Sequence, residues 1–338
     1  MKTSIRLLVS LALAAAMLWG FVRWSGLSWA ELFGSWRRVD LSTWATALAL
    51  HAGVYALRAV RFRLLFPPAV RPGLGSLLAV GAAHNLAAYV LPAKTGEATF
   101  VLYARRVCGV SGSQALASLI TSRLLDLCTV CAGLGAACLS LAGGRDTAAS
   151  WFAPLGGVLL ALGFALGLLA WKSHWLVAIY TRVAAVTRLN RTRLGRRADE
   201  LAHRVAAALR EAGGEGRVIA AALVSAPLWL GIFLFYGVLV RGLGLSETID
   251  LSQAALGSGL AVLANLLPVN GFAGFGTQEA GWVLGFGALG VSKDVATATS
   301  VGVHLIQLGN VVLFGVLGHI ALGLLPTRDG STDQSDAR

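Results

Sequence analysis

Residues 267–281 read LPVNGFAGFGTQEAG, from Leu267 to Gly281, and their reading decides the fold. The stretch holds four glycines, one proline, one asparagine and a single acid, yet it lies between two strongly apolar segments. A proline lacks the amide donor a helix interior needs and clashes with the preceding turn, so Leu267-Pro268 predicts a helix end. Thr277 is suited to cap the next helix, and Glu279 then falls in its first turn, where negative charge is favourable. The helix that follows, predicted over about 278–288, is far shorter than the ~20 residues a spanning helix needs.

The surrounding chain is that of a membrane protein. Of its 338 residues 56% are hydrophobic and only 13% charged, and the mean hydropathy is +0.71. Apolar runs of spanning length recur, which excludes an ordinary soluble multidomain chain. Full spans are predicted near residues 1–22, 41–60, 114–141, 151–171, 218–240 and 295–324. The N-terminal run has a basic start but extends through Phe21 and Val22, with Trp19 and Trp24 at interfacial depth, so a retained first span is favoured over a cleaved signal peptide. The Trp-rich piece that follows it reads as an amphipathic segment at the outer interface.

The net charge of +12 is concentrated, because 172–217 carries ten basic and four acidic residues. Lys and Arg collect on cytoplasmic loops, so this segment reads as topology and anionic-lipid contact, with no nucleic acid as partner. Its part over 198–211 has helical character. Arg58, Arg61, Arg63, Arg71, Lys94, Arg105 and Arg106 mark inner boundaries on the same rule, with both termini cytoplasmic in a bacterial inner membrane. Cys128 and Cys131 form a CxxC inside a span, where they read as packing residues rather than a metal or redox site.

A second break resembles the first. Residues 91–117 read LPAKTGEATFVLYARRVCGVSGSQALA. Leu91-Pro92 matches Leu267-Pro268, TGEA at 95–98 matches TQEA at 277–280, and Val101-Leu102 matches Val283-Leu284. Gly109-Val110-Ser111 matches Gly290-Val291-Ser292. In the charge-derived topology the copies enter from opposite faces, the pattern of inverted-topology repeats in transporters. The expected fold is therefore an all-α polytopic membrane protein of about six full spans and two re-entrant helical hairpins. The expected parts are 1–40, a first span and outer segment; 41–141, the first repeat half; 142–217, a fourth span and basic loop; 218–324, the second half; and 325–338, a polar tail.

Polar residues at such breaks have two readings, helix stabilisation and a site near mid-membrane. The candidate substrate-binding residues are Lys94 and Glu97 at the first break, Asn270, Gln278 and Glu279 at the second, and Arg123 with Asp126 in the third span. Arg123 and Asp126 lie three apart on one helix face, either as a structural ion pair or with Arg123 offered to an anionic headgroup. His304, Gln307 and Asn310 share a face predicted to point into the bundle. No phosphate-binding GxxxxGK[ST] loop, HExxH cluster or GxSxG elbow occurs in the sequence, so no catalytic residue, metal ligand or cofactor is assigned.

PAKTGE with its short helix and ARRVCGVS, then ASLITSRLLDL, then LPVNGFAGFGTQEAG followed by LGV, resemble in that order the transmembrane, flippase-like region of the lysylphosphatidylglycerol synthase family, standalone and hopanoid-associated members included. The resemblance covers about residues 41–324. Two positions depart from the family's usual pattern: Ser122 stands where an acid often precedes Arg123, and Lys94 where an arginine often stands. No soluble aminoacyl-transferase region follows the last span in this sequence. The resemblance accordingly implies a lipid translocase or a related envelope-lipid function rather than lysyl transfer. Membrane lipids with anionic headgroups, and envelope-lipid synthesis proteins, are the partners expected. A lipid-modifying enzyme or subunit and a non-catalytic scaffold of a synthesis complex are the alternatives.

Overall fold

The computed structural model describes residues 39–70, 72–91, 96–143, 149–172, 174–187, 214–245, 249–266 and 274–326, with residues 19, 23, 34, 200, 202–205, 207 and 208 besides. Numbered from the first long described helix, the elements are α1 (Leu41–Leu65), α2 (Leu74–Val90), α3 (Glu97–Tyr103), α4 (Gly112–Leu141), α5 (Ala149–Trp171), α6 (His174–Val186), α7 (Gly214–Gly242), α8 (Leu251–Leu266), α9 (Thr277–Gly287) and α10 (Lys293–Leu324). The chain is all-α over these residues and polytopic: α4, α5, α7 and α10 are each long and apolar enough to cross a membrane. α1 has 25 residues but carries Arg58, Arg61 and Arg63 in its second half.

Helix starts follow the local chemistry. Asp40 caps α1, its carboxylate accepting the Thr43 amide at 2.7 Å. Ser111 and Gln114 form a reciprocal capping box at the start of α4, with bonds of 3.2 and 3.0 Å. The repeated Gly-Val-Ser triplet has one local structure in both places. Gly109 and Gly290 take positive φ of 69° and 84°, which a side chain would strain, and the serine two residues later occupies the N-cap of a long helix. The two short helices, α3 and α9, precede these turns, and α3 passes into a turn of π-helix over Ala104–Cys108.

One local expectation needs correction. Thr277 is the first residue of α9, not its cap; Gly276, at φ 87°, holds the N-cap position, a backbone shape closed to threonine. The Thr277 hydroxyl instead donates to the Gly274 carbonyl at 3.1 Å. In the first break the N-cap position belongs to Gly96, and Thr95 lies outside the described residues. In the basic segment α6 covers 174–186, and the described residues of the helix expected over 198–211, namely 200, 202–205, 207 and 208, are helical. Most of the first span, of the outer tryptophan segment and of the tail also falls outside the described residues.

Packing brings the two breaks together. α2 lies along α10, α8 along both α9 and α4, α1 along α7, and α4 along α5. α8 and α9 approach at backbone distance. A Cβ added at Gly281 would stand 2.7 Å from the Ala261 amide nitrogen, and one at Gly285 would overlap the Gly257 carbonyl. This fit of helix backbone to helix backbone substitutes for a hydrophobic driving force that lipid does not supply. Gly285→Ala is predicted to destabilise the purified protein by about 1–3 kcal/mol through overpacking, read as a lower melting temperature in detergent. Gly287→Ala, with nothing near its added methyl, should leave the melting temperature unchanged or raise it.

Candidate functional site

The first break delivers Glu97 at the start of α3, and the face of α4 delivers Ser122, Arg123 and Asp126. Arg123 Nη2 donates to Glu97 Oε1 at 2.6 Å and Nη1 to Asp126 Oδ2 at 3.4 Å. The expected Arg123–Asp126 pair is therefore present, but each member has a closer partner. For Asp126 that partner is Arg61 on α1, whose Nη1 donates to Oδ1 at 2.7 Å. Trp229 Nε1, from α7, donates to the same oxygen at 2.9 Å.

Arg61, near a helix end and before two prolines, does not face solvent. It is 1% exposed, and its Nη2 donates to Ser122 at 2.7 Å while Nη1 reaches Ser225 at 3.1 Å. Ser122, the position where the resemblance leads one to expect an acid, accepts from an arginine here without adding charge. The network has a dry end, Arg61–Asp126, and a wetter end, where the Arg123 side chain is 39% and Glu97 25% exposed.

The second break supplies a parallel arrangement on α9 and α10. Glu279 is fully buried; its Oε2 accepts the Gly276 amide at 2.7 Å, and its Oε1 shares a 2.5 Å hydrogen bond with His304 Nδ1. Phe275 stacks on the His304 ring at 4.3 Å. The helix-stabilising reading of Glu279 fits this geometry, since one oxygen anchors the helix start and the other meets His304 on α10. Gln278 joins Asn265 at 2.8 Å and Gln307 at 3.0 Å, and Gln307 also accepts from Tyr236 at 3.0 Å and donates to Tyr89. His304, Gln307 and Asn310 are buried, as their shared face predicted. Lys94 and Asn270 lie outside the described residues.

Between the two breaks is a cavity of about 540 Å³. Glu97 and Arg123 line it from the first side, and Gly274, Asn265 and Gln307 from the second. Asn85 and Tyr89 on α2 and Tyr236 on α7 line it as well, among apolar side chains that include Leu119, Ile232 and Val262. Of the predicted site residues, Glu97 and Arg123 thus reach the cavity; Asp126 and Gln278 are bonded to lining groups, and Glu279 stands further back, on Gly276 and His304. Arg58 on α1 also lines it. Sequence reasoning passed over Arg58 and Arg61 as topology markers; the signal was their i, i+3 spacing on an otherwise apolar helix, which puts both on one face.

Removing one partner of a buried, hydrogen-bonded ion pair strands the other charge and costs about 3–5 kcal/mol. Asp126→Ala is predicted to lose most of the purified protein's thermal stability because it strands Arg61. Asp126→Asn should be milder, keeping an acceptor for Trp229. Glu97→Gln, at the wetter end, should shift the melting temperature least of the three.

Comparison with curated proteins and with solved structures gives no match. Comparison with protein families matches residues 6–315 to the lysylphosphatidylglycerol synthase transmembrane region. A multi-pass bundle with a polar cavity between two helix breaks, matched over nearly all its length, places this chain in the family defined by the transmembrane region of lysylphosphatidylglycerol synthase.

Proposed function

We propose that the protein translocates a phospholipid or lipid-linked envelope intermediate across the bacterial inner membrane, with the headgroup passing through the cavity between the two breaks and the tails remaining in the bilayer. The observation that carries this reading is the mixed lining of the cavity: arginines of α1 and α4 and amides of α2, α8 and α10 converge inside a bundle whose outer faces are apolar. Intramembrane charge is costly, and groups of this kind mark substrate pathways when they face a shared cavity.

The architecture behind the proposal is an inverted-topology repeat of about six spans and two re-entrant hairpins, with both termini cytoplasmic. The pattern of helix contacts supports it. Exchanging α1, α2, α3 and α4 with α7, α8, α9 and α10 turns each principal contact among these eight helices into another that is also present, while the packing of α4 on α5 lies outside the exchange. α2 against α10 becomes α8 against α4, α1 against α2 becomes α7 against α8, and α1 against α7 maps onto itself. The cavity lies where the proposed halves meet, as in transporters built from repeats. Rocking of one half against the other would expose it to each face in turn. The proposed set is Glu97 and Arg123 at the cavity, with Asp126, Gln278 and Glu279 supporting its walls, and Lys94 and Asn270 added from the sequence alone.

The full-length protein reconstituted into liposomes is expected to move short-chain fluorescent phospholipids between leaflets, read by dithionite quenching. Arg123→Gln should lower the initial rate at least about tenfold, a loss of ~1.4 kcal/mol in transition-state stabilisation. Rates equal to those of protein-free liposomes, across anionic and neutral lipids, would remove the translocation reading. Conversion of the lipid to a new mass during the assay would favour a lipid-modifying enzyme instead.

A further inference from the structure

We propose, resting on the translocation reading above, that Glu279 and His304 form a proton-binding site, and that the proton they exchange couples lipid movement to a proton gradient. Two positions in the long helices correspond. Ser111 and Ser292 hold the N-cap positions of α4 and α10, and Arg123 and His304 each stand twelve residues after their serine. Each meets the glutamate of the short helix before its own. Arg123 Nη2 lies 2.6 Å from Glu97 Oε1, and His304 Nδ1 lies 2.5 Å from Glu279 Oε1. Glu97 precedes its serine by one residue more than Glu279 does, and the turn of π-helix after α3, which takes up an extra residue, lies in that interval.

The two contacts differ in one respect. A guanidinium keeps its charge at any pH a protein meets, whereas an imidazole is charged only while it holds a proton. Glu97 is therefore neutralised permanently, and Glu279 only by a proton. Glu279 and His304 are both fully buried. With the proton the pair is neutral overall, whichever side chain holds it. Without the proton a carboxylate charge remains inside the bundle, with the Gly276 amide on its other oxygen, and uncompensated buried charge is costly.

The packed neighbours supply no substitute charge. α9 lies on α8 and α10, and α10 lies also on α1, α2 and α7. α8 has no titratable side chain, and Glu279 is the sole one of α9. α2 brings His84, turned to Glu97 and the Gly96 carbonyl, and Tyr89, bonded to Gln307. α7 brings Tyr236, also bonded to Gln307, with Glu215, Arg217 and Arg241 toward its ends. α1 brings His51, stacked on Tyr55, and Arg58, Arg61 and Arg63. On α10 itself Lys293 and Asp294 open the helix and His319 lies near its other end. Among the described residues Glu279 has His304 as its one ion-pair partner.

The proton has a short route. A Cβ added at Gly274 would stand 3.9 Å from His304 Cε1 and 2.9 Å from the side-chain oxygen of Asn265. Gly274 and Asn265 both line the cavity, so one glycine separates the imidazole edge from it. Phe275 covers the face of the ring. Closing the cavity beside the pair thus requires the proton, and opening it to water lets the proton leave. The two equilibria are linked, so a proton gradient biases lipid movement.

Two measurements on the full-length protein test this. In nanodiscs, with 15N-labelled histidine, the His304 resonance is identified by its loss in His304→Arg. Stepped between about pH 5 and 8, it should move between two positions as the pair gains and loses its proton. A resonance fixed throughout overturns the proposal. The second measurement uses proteoliposomes carrying, in turn, short-chain fluorescent phosphatidylglycerol and phosphatidylcholine, with valinomycin and equal potassium holding the membrane potential at zero. Under a gradient of about one pH unit, coupling of one proton per lipid should keep the label unequal between leaflets by up to about tenfold. Dithionite reads the inequality against protein-free liposomes, and reversing the gradient should reverse it. His304→Arg, which gives the second contact the permanent cation of the first, should abolish the inequality, and His304→Gln should do the same. Equal leaflets in a parent protein that moves lipid, or parental inequality in either variant, overturns the coupling and leaves translocation in place. If neither lipid moves under any gradient while the His304 resonance titrates, the translocation reading fails and the proton site stands.

Discussion

The buried ion pair between Arg61 and Asp126 is the constraint on which the rest depends. It joins α1 to α4, and through Trp229 and Ser225 it binds α7 to both. In a medium without water to solvate them, neither charge is tolerable alone, so the three helices must meet where these side chains meet. Asp126 extends the arrangement to Arg123, and Arg123 extends it to Glu97 at the first break. One chain of charges thus sets the wall of the cavity and positions the first of the two short helices.

The second break is held by different chemistry to a similar end. Glu279 fixes the start of α9 through the Gly276 amide and ties it to α10 through His304, while the glycines of α9 bring it against the backbone of α8. The amides of Asn265, Gln278 and Gln307 tie α8, α9 and α10 together beside the break. The cavity consequently has cationic groups from α1 and α4 and neutral, hydrogen-bonding groups from α2, α7, α8 and α10.

Much of this was legible in the sequence. Proline and glycine at 267–281, and their counterparts at 91–98, mark the breaks because they act on the backbone locally. Glu97, Arg123, Asp126, Gln278 and Glu279 stood out because a polar residue in an apolar run is conspicuous. Partner choice was not legible. Asp126 finds Arg61 across 65 positions of chain and Glu279 finds His304 across 25, and periodicity says nothing about such distances. Arg58 and Arg61 were hidden by a competing explanation, since basic residues before a Pro-Pro turn are equally expected at a cytoplasmic boundary. Gly276 displaced Thr277 at the cap because a positive φ outweighs a side-chain hydrogen bond.

The central claim is that one cavity, formed jointly by the two breaks, receives a lipid headgroup against its cationic groups. An electron cryo-microscopy map of the full-length protein in lipid nanodiscs tests it most directly. The account predicts phosphate density between Arg58 and Arg123, with acyl chains leaving the bundle toward the bilayer. A cavity closed by side chains, with lipid density confined to the outer faces of the helices, would contradict it.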